Sequence, residues 1–171
     1  TLSVGNVNDK PEITNWSNQS YSEGDGPKKL AETLDLRDDD AAGAGGNLSQ
    51  AVVEVTGYVA EEDVFAIEDV PVTNGQSFTN GITLAAAEEQ AGTLTLTLSA
   101  AADGSTAEDF QTVLRTLTYK NTADAPVEDP RTLTLRVTDT SGTANATSDP
   151  SELTLSVGNV NDKPEITNWS N

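Results

Sequence analysis

The chain has 171 residues, 28 of them acidic and 9 basic, a formal net charge of −19, and neither cysteine nor histidine. Such a balance excludes nucleic acid and anionic membrane as partners, since both need a basic face. The missing residue types exclude a disulfide framework, thiol chemistry, the usual zinc ligands and the usual general base.

Repetition is the strongest feature. TLSVGNVNDKPEITNWSN fills 1–18 and returns unchanged at 154–171, so residue 154 repeats residue 1 and the period is 153 residues. A repeat of this kind sets the architecture before any local pattern does. It predicts one link of a tandem array with both couplings attached. Residues 1–10 are then the end of a preceding repeat and its linker, 11–158 a single β-sandwich repeat, and 159–171 a linker and the start of the next repeat. The expected partners are neighbouring identical repeats in the same chain, and the isolated piece should be monomeric. No stretch reads as a signal peptide or is apolar enough to span a bilayer, so no membrane insertion is expected. Both tails lack their partners, so 1–5 and 165–171 are expected to be mobile or to borrow partners from neighbouring molecules, with Trp169 exposed and Trp16 buried.

Hydrophobic content is 35% and carried mainly by Leu, Val, Ala and Ile, among abundant Thr, Ser, Gly and Asn. That mixture suits short strands, and the predicted fold is all-β: an antiparallel sandwich with one short helix. In chain order, TLSV is a strand that runs into the linker ending at Pro11 or Pro164, where proline stops ladder pairing and keeps the chain extended. Residues 11–22 read as the first full strand, with Ile13 and Trp16 as core candidates, ending in the acidic turn 23–27. A second strand covers 30–36 and gives way to Asp38, Asp39, Asp40 and a flexible 41–46. Residues 51–58 form a third strand, 64–67 and 81–84 shorter ones, and 92–99 alternates strictly. The helix is expected over 106–116, with Ser105 as N-cap, Glu108 completing a capping box, and Phe110, Val113, Leu114 and Leu117 facing the core. Leu117, Thr118 and Tyr119 lead out of it, and 131–138 and 152–157 supply the last two strands.

Strand direction then sorts the acids. If consecutive strands reverse, one end of the sandwich (the N-pole) gathers Asn6, Asn8, Asp9, Asp38, Asp40 and Asp139. The far pole gathers Glu23, Asp25, Glu128, Asp129, Asn159, Asn161 and Asp162. Each set joins a linker to scattered loops. Asn-x-Asn-Asp before proline offers side-chain oxygens and backbone carbonyls, a ligand set for a hard cation. Carboxylates gathered so closely repel one another unless a divalent ion joins them. A generally acidic surface adapted to saline surroundings is the competing account of the charge.

At this point the residues resemble a family. Asn159 to Pro164 (NVNDKP) is similar to the cadherin inter-domain linker DxNDNxP, Asp38 to Asp40 to its DxD loop, Glu23 to the acid closing the first strand, and Asp139 to the aspartate before the last strand. Glu128 or Asp129 falls near its DRE motif. A closer resemblance is to the bacterial cadherin-like repeats of large RTX-type surface adhesins, in YSEGD, AEDFQTVLRTLTYKNT and RTLTLRVTD followed by VNDKP. The resemblance implies an Ig-like, cadherin-like sandwich that binds Ca2+ at its junctions, on a secreted or cell-surface bacterial protein. Its implied role is structural: an extender that holds a distal binding domain away from the cell and stiffens when calcium is bound. Asn159 stands where the pattern has Asp, and Lys163 where it has Asn. Both departures imply fewer or weaker ions per junction than in a cadherin linker. The alternative function is an adhesive module, homophilic or carbohydrate-binding. No catalytic residues are expected, because the acids map to exposed ends without a pocket signature.

Overall fold

The computed structural model describes residues 7–40 and 46–163. Its frame comes from four strands in which apolar residues alternate with others over the middle of each: β5 (Leu48–Thr56), β9 (Thr93–Ser99), β11 (Arg131–Asp139) and β12 (Ser151–Gly158). In β9, Leu94, Leu96 and Leu98 are buried while the threonines between them are half-exposed. Leu133, Leu135 and Val137 of β11 follow the same rule. This is the period of two that a sheet with one buried face requires.

The remaining strands are β1 (Glu12–Thr14), β2 (Gln19–Ser22), β3 (Lys28–Lys29), β4 (Asp35–Arg37), β6 (Asp63–Ile67), β7 (Val70–Pro71), β8 (Thr83–Gln90) and β10 (Thr118–Asn121). A six-stranded sheet runs β2-β12-β11-β5-β9-β8, a four-stranded sheet β3-β10-β6-β7, and β1 with β4 makes a ribbon. All neighbours are antiparallel except β2 and β12, which are parallel. Phe65, Ile67 and Tyr119 from the smaller sheet join the leucines of the larger one in a single core. The fold is therefore an all-β sandwich with one helix, α1 (Ala107–Leu114), which adds Phe110, Val113 and Leu114 to that core.

Four local expectations are corrected. The strand over 11–22 is broken: Asn15 takes φ 58 and the chain changes partner, β1 pairing with β4 and β2 with β12. Asparagine tolerates the left-handed conformation. The break drops Trp16 into the core at 7% exposure, with its indole N–H on the Leu133 carbonyl at 3.4 Å. The strand expected over 30–36 is mostly a turn, in which the Leu34 N–H donates to the Ala31 carbonyl, set between β3, which ends at Lys29, and β4, which starts at Asp35. Adjacent Leu30 and Ala31 are both buried at that turn. The helix cap is Thr106, with Asp109 as its reciprocal partner, instead of Ser105 with Glu108. Both pairs have the right spacing, but the Ser105 backbone is taken by Leu48, donating and accepting at 2.9 and 2.7 Å.

The short strand expected at 81–84 is longer and later. β8 continues through Ala85 to Gln90, residues with little strand preference, because β9 pairs along its whole length. Ala91 and Gly92, at φ 51 and 78, close that hairpin with the positive-φ pair that two-residue hairpins favour. Asn6, the tail 1–5, most of the glycine-rich stretch (41–45) and Trp169 lie outside the described residues.

Candidate metal centre

β4 ends at Arg37 beside Glu12, so the chain that follows it lies next to the linker that precedes β1. Arg37 pairs with exposed Asp39, its Nη2 on Oδ2 at 2.9 Å, which draws the middle carboxylate of the Asp38–Asp40 run outward. Asp38 and Asp40 are half-buried. The Asp40 N–H donates to Asp38 Oδ1 at 3.0 Å, a local turn of the kind aspartate favours. The linker joins through Asp9, whose N–H donates to Asp40 Oδ2 at 2.9 Å.

β11 delivers Asp139 to the same place. Its Oδ1 accepts from the Ser141 N–H at 2.6 Å and its Oδ2 from Asn8 Nδ2 at 2.9 Å. Asn145, which sequence reasoning missed, closes the group. Its carbonyl accepts from Asn8 Nδ2 at 3.2 Å, and its own Nδ2 donates to the Asn8 carbonyl at 3.3 Å. Five residues expected at the N-pole (Asn8, Asp9, Asp38, Asp40 and Asp139) are thus drawn together from three segments.

Two atoms in this group have no hydrogen-bond partner: Asn8 Oδ1 and Asp38 Oδ2. Among the described residues they are the only buried side-chain nitrogen or oxygen atoms so left. Both are acceptors, and native proteins rarely leave such atoms bare because doing so costs about 1–3 kcal/mol each. Burial pushes the Asp38 carboxyl above its ordinary range; the charges of Asp139, Asp40 and Asp39 push it further, against the Asp40 N–H. A hard cation would suit the chemistry of this donor set, oxygen acceptors without donors among crowded carboxylates.

The far pole is built differently. β2 and β12 run parallel and end together, Ser22 opposite Gly158, and the Glu23 N–H donates to the Gly158 carbonyl at 2.8 Å. Glu23 Oε2 accepts the Val160 N–H at 2.8 Å, and Glu128 Oε1 accepts the Asn159 N–H at 3.1 Å. Carboxylate oxygens of Glu23, Asp124 and Asp162 lie within 4.8 Å of one another. Asp124 was not among the expected ligands. It shares the β10–β11 loop with Glu128 and Asp129, so tracing strand direction through Tyr119 as well would have placed it here.

Other far-pole expectations part company with this cluster. Asp25 turns back on its own loop, Oδ2 accepting from the Ser22 N–H at 3.1 Å and its carbonyl from the Tyr21 hydroxyl at 2.6 Å. Asp129 is exposed and gives its carbonyl to Arg131 Nη1 at 2.6 Å. Asn159 meets the cluster through its backbone N–H, and the Asn161 side chain donates to the Asp162 carbonyl at 3.3 Å. No known family model matches the chain, and a search of curated proteins likewise finds no match.

Proposed function

We propose that the chain is a structural extender: one repeat of a long, secreted bacterial surface adhesin of the RTX type, stiffened at its junctions by calcium. The observation that carries this reading is the pair of bare acceptors, Asn8 Oδ1 and Asp38 Oδ2, at one pole of the sandwich. Asn8, Asp38, Asp40 and Asp139 would hold the ion there. Calcium would supply the positive charge that lets those carboxylates stay ionised side by side, and its loose coordination suits mixed side-chain and backbone oxygens better than magnesium's strict octahedron does.

Exact repetition supports the array. Asn159 to Lys163 in this unit are the same residues as Asn6 to Lys10 of the next. The contacts seen at the two poles use different atoms of that linker. Its N–H groups at Asn159 and Val160 reach back to Glu128 and Glu23. The equivalents of Asn161 and Asp162, Asn8 and Asp9, reach forward through Nδ2 and the backbone N–H to Asp139 and Asp40. One linker can therefore satisfy both neighbours at once, with the Asp162 carboxylate beside Glu23 and Asp124. The lysine that departs from the cadherin pattern also has a partner: Lys10 Nζ lies 2.7 Å from Asp149 Oδ1.

An adhesive or sugar-binding module remains the alternative, but every described aromatic ring is buried or half-buried, which leaves no exposed platform for a sugar to stack on. Thermal unfolding in calcium, in equal magnesium and in chelator tests the extender. Calcium at about a hundredfold over its dissociation constant should add about 2.7 kcal/mol and raise the midpoint, while magnesium should add little. Equal midpoints in all three would reduce the acids to solvated surface.

A further inference from the structure

Beneath the far pole lies a polar group that the acidic loops do not explain. Arg131, the first residue of β11, is 0% exposed. Its Nε and Nη2 donate to the two oxygens of Asp63, each at 2.9 Å, and Asp63 is itself 3% exposed. Its Nη1 donates to the carbonyls of Val127 and Asp129, both at 2.6 Å. Asp63 also accepts from the Tyr119 hydroxyl at 2.6 Å, from Asn121 Nδ2 at 3.1 Å and from the Val59 N–H at 2.9 Å. Tyr21 packs edge-on against Tyr119, ring centroids 5.0 Å apart, and its hydroxyl lies 3.3 Å from the Asn121 carbonyl and 2.6 Å from that of Asp25.

Every charged atom here is satisfied, yet an apolar filling of the same volume is often equally stable. What an apolar filling would lack is a hold on the loops. Nη1 fixes both sides of Glu128, whose carboxylate receives the Asn159 N–H. The Tyr21 hydroxyl fixes the turn that follows Glu23, whose carboxylate receives the Val160 N–H. Both linker-gripping carboxylates therefore stand on segments tied to one buried group. Among the described residues the N-pole has no counterpart, for its ion pairs, Arg37–Asp39 and Lys10–Asp149, are solvent-exposed.

We propose that Arg131, paired with Asp63, is the positioning residue of the far pole: it presets Glu128 and Glu23 to receive the linker N–H groups and so fixes the direction in which the chain leaves the sandwich. Its importance for a rod rests on the extender reading, but the contacts themselves contain no cation.

The test is backbone 15N relaxation on the 171-residue chain in chelator, comparing the native protein with Arg131→Lys and Tyr21→Phe. Lysine keeps the charge beside Asp63 but cannot also hold two loop carbonyls. Order parameters at Asn159 and Val160 should start near about 0.85 and fall below about 0.6 in Arg131→Lys, most at Asn159. Tyr21→Phe should loosen Val160 more than Asn159. The Asp9 and Ser141 amides at the N-pole should not change in either variant. Unchanged far-pole values in a folded variant, or equal loosening at both poles, would overturn the assignment. Should Arg131→Lys fail to fold, Tyr21→Phe decides alone by the same contrast. Adding calcium to the same samples separates the two readings: no response at all would remove the calcium extender and leave this assignment standing.

Discussion

The two ends of this sandwich are both rich in carboxylates, and they handle that charge in opposite ways. At the far pole, Glu23 and Glu128 already accept backbone N–H groups, and a buried arginine ties their loops to the core. At the N-pole, Asp38 and Asn8 each keep a buried oxygen without a donor, and the nearby arginine and lysine are turned outward. Bare buried acceptors are left at the N-pole, whereas at the far pole the carboxylates of Glu23, Asp124 and Asp162 converge beside linker N–H groups that are already held. An acidic cluster is thus informative only through its hydrogen bonds, because composition alone would rank these ends as equals.

The largest effect expected is at the far pole. Arg131→Met would take the guanidinium away from Asp63 in the core and strip the Val127 and Asp129 carbonyls of their donor. Breaking one side of a buried pair costs about 3–5 kcal/mol. Denaturant unfolding should show that loss equally in calcium and in chelator, since the bonds removed run to Asp63 and to backbone carbonyls. A loss seen in calcium alone would mean that the two poles are not independent.

A change at the N-pole should reverse sign with calcium. Asp38→Asn keeps an oxygen for the Asp40 N–H but removes one charge from a crowded site. In chelator it should be neutral or stabilising. In calcium it should forfeit most of the ion's contribution, up to the roughly 2.7 kcal/mol of a site held at a hundredfold excess. Two thermal melts per protein are sufficient, and destabilisation of the same size in both would mean Asp38 acts through packing instead.

Titration sharpens the same contrast more gently. Burial first, and then Asp139, Asp40 and Asp39, raise the Asp38 carboxyl above its ordinary value of 3.8. The folded state therefore holds that proton more tightly than the unfolded one. Its contribution is present below the ordinary value and is lost as pH rises through the folded value. In chelator, the native protein should lose stability relative to Asp38→Asn over that window, whereas saturating calcium should abolish or reverse the difference. Parallel pH profiles in chelator would contradict it.

Much of this was legible in the chain. Alternation located β9, β11 and β12, and strand direction alone brought Asp38, Asp40 and Asp139 beside the linker, because strand polarity propagates from one element to the next without any side-chain detail. What escaped was set by partners far away in sequence. Ser105 and Thr106 are equivalent as caps until Leu48 claims the Ser105 backbone. Nothing at Asn15 marks the exchange of sheets, since its left-handed φ follows from the partners on either side. Arg131 at the head of a strand reads as solvated, and its burial depends on Asp63, 68 residues earlier. Asp124 has no local feature to separate it from other loop acids; only Glu23 and Asp162 give it meaning.

The smallest effect expected concerns the lysine that breaks the cadherin pattern. A positive charge in the linker should repel a cation if it faces the ligands, and that was the sequence expectation for Lys163. Its equivalent in the described N-pole, Lys10, instead reaches Asp149, with side-chain exposures of 44% and 84%. The bond to Lys10 holds the Asp149 carboxyl below its ordinary range. Its benefit is therefore present at neutral pH and fades as pH falls into the acid range. A pair this exposed contributes little and is screened by salt. Lys10→Ala should accordingly leave the unfolding midpoint nearly unchanged, and calcium titration should give the same half-saturation as the native chain. Tighter calcium binding in the variant would show that the ammonium does oppose the ion, and would make the lysine, and not only the missing carboxylate at Asn159, a cause of weak binding at this junction.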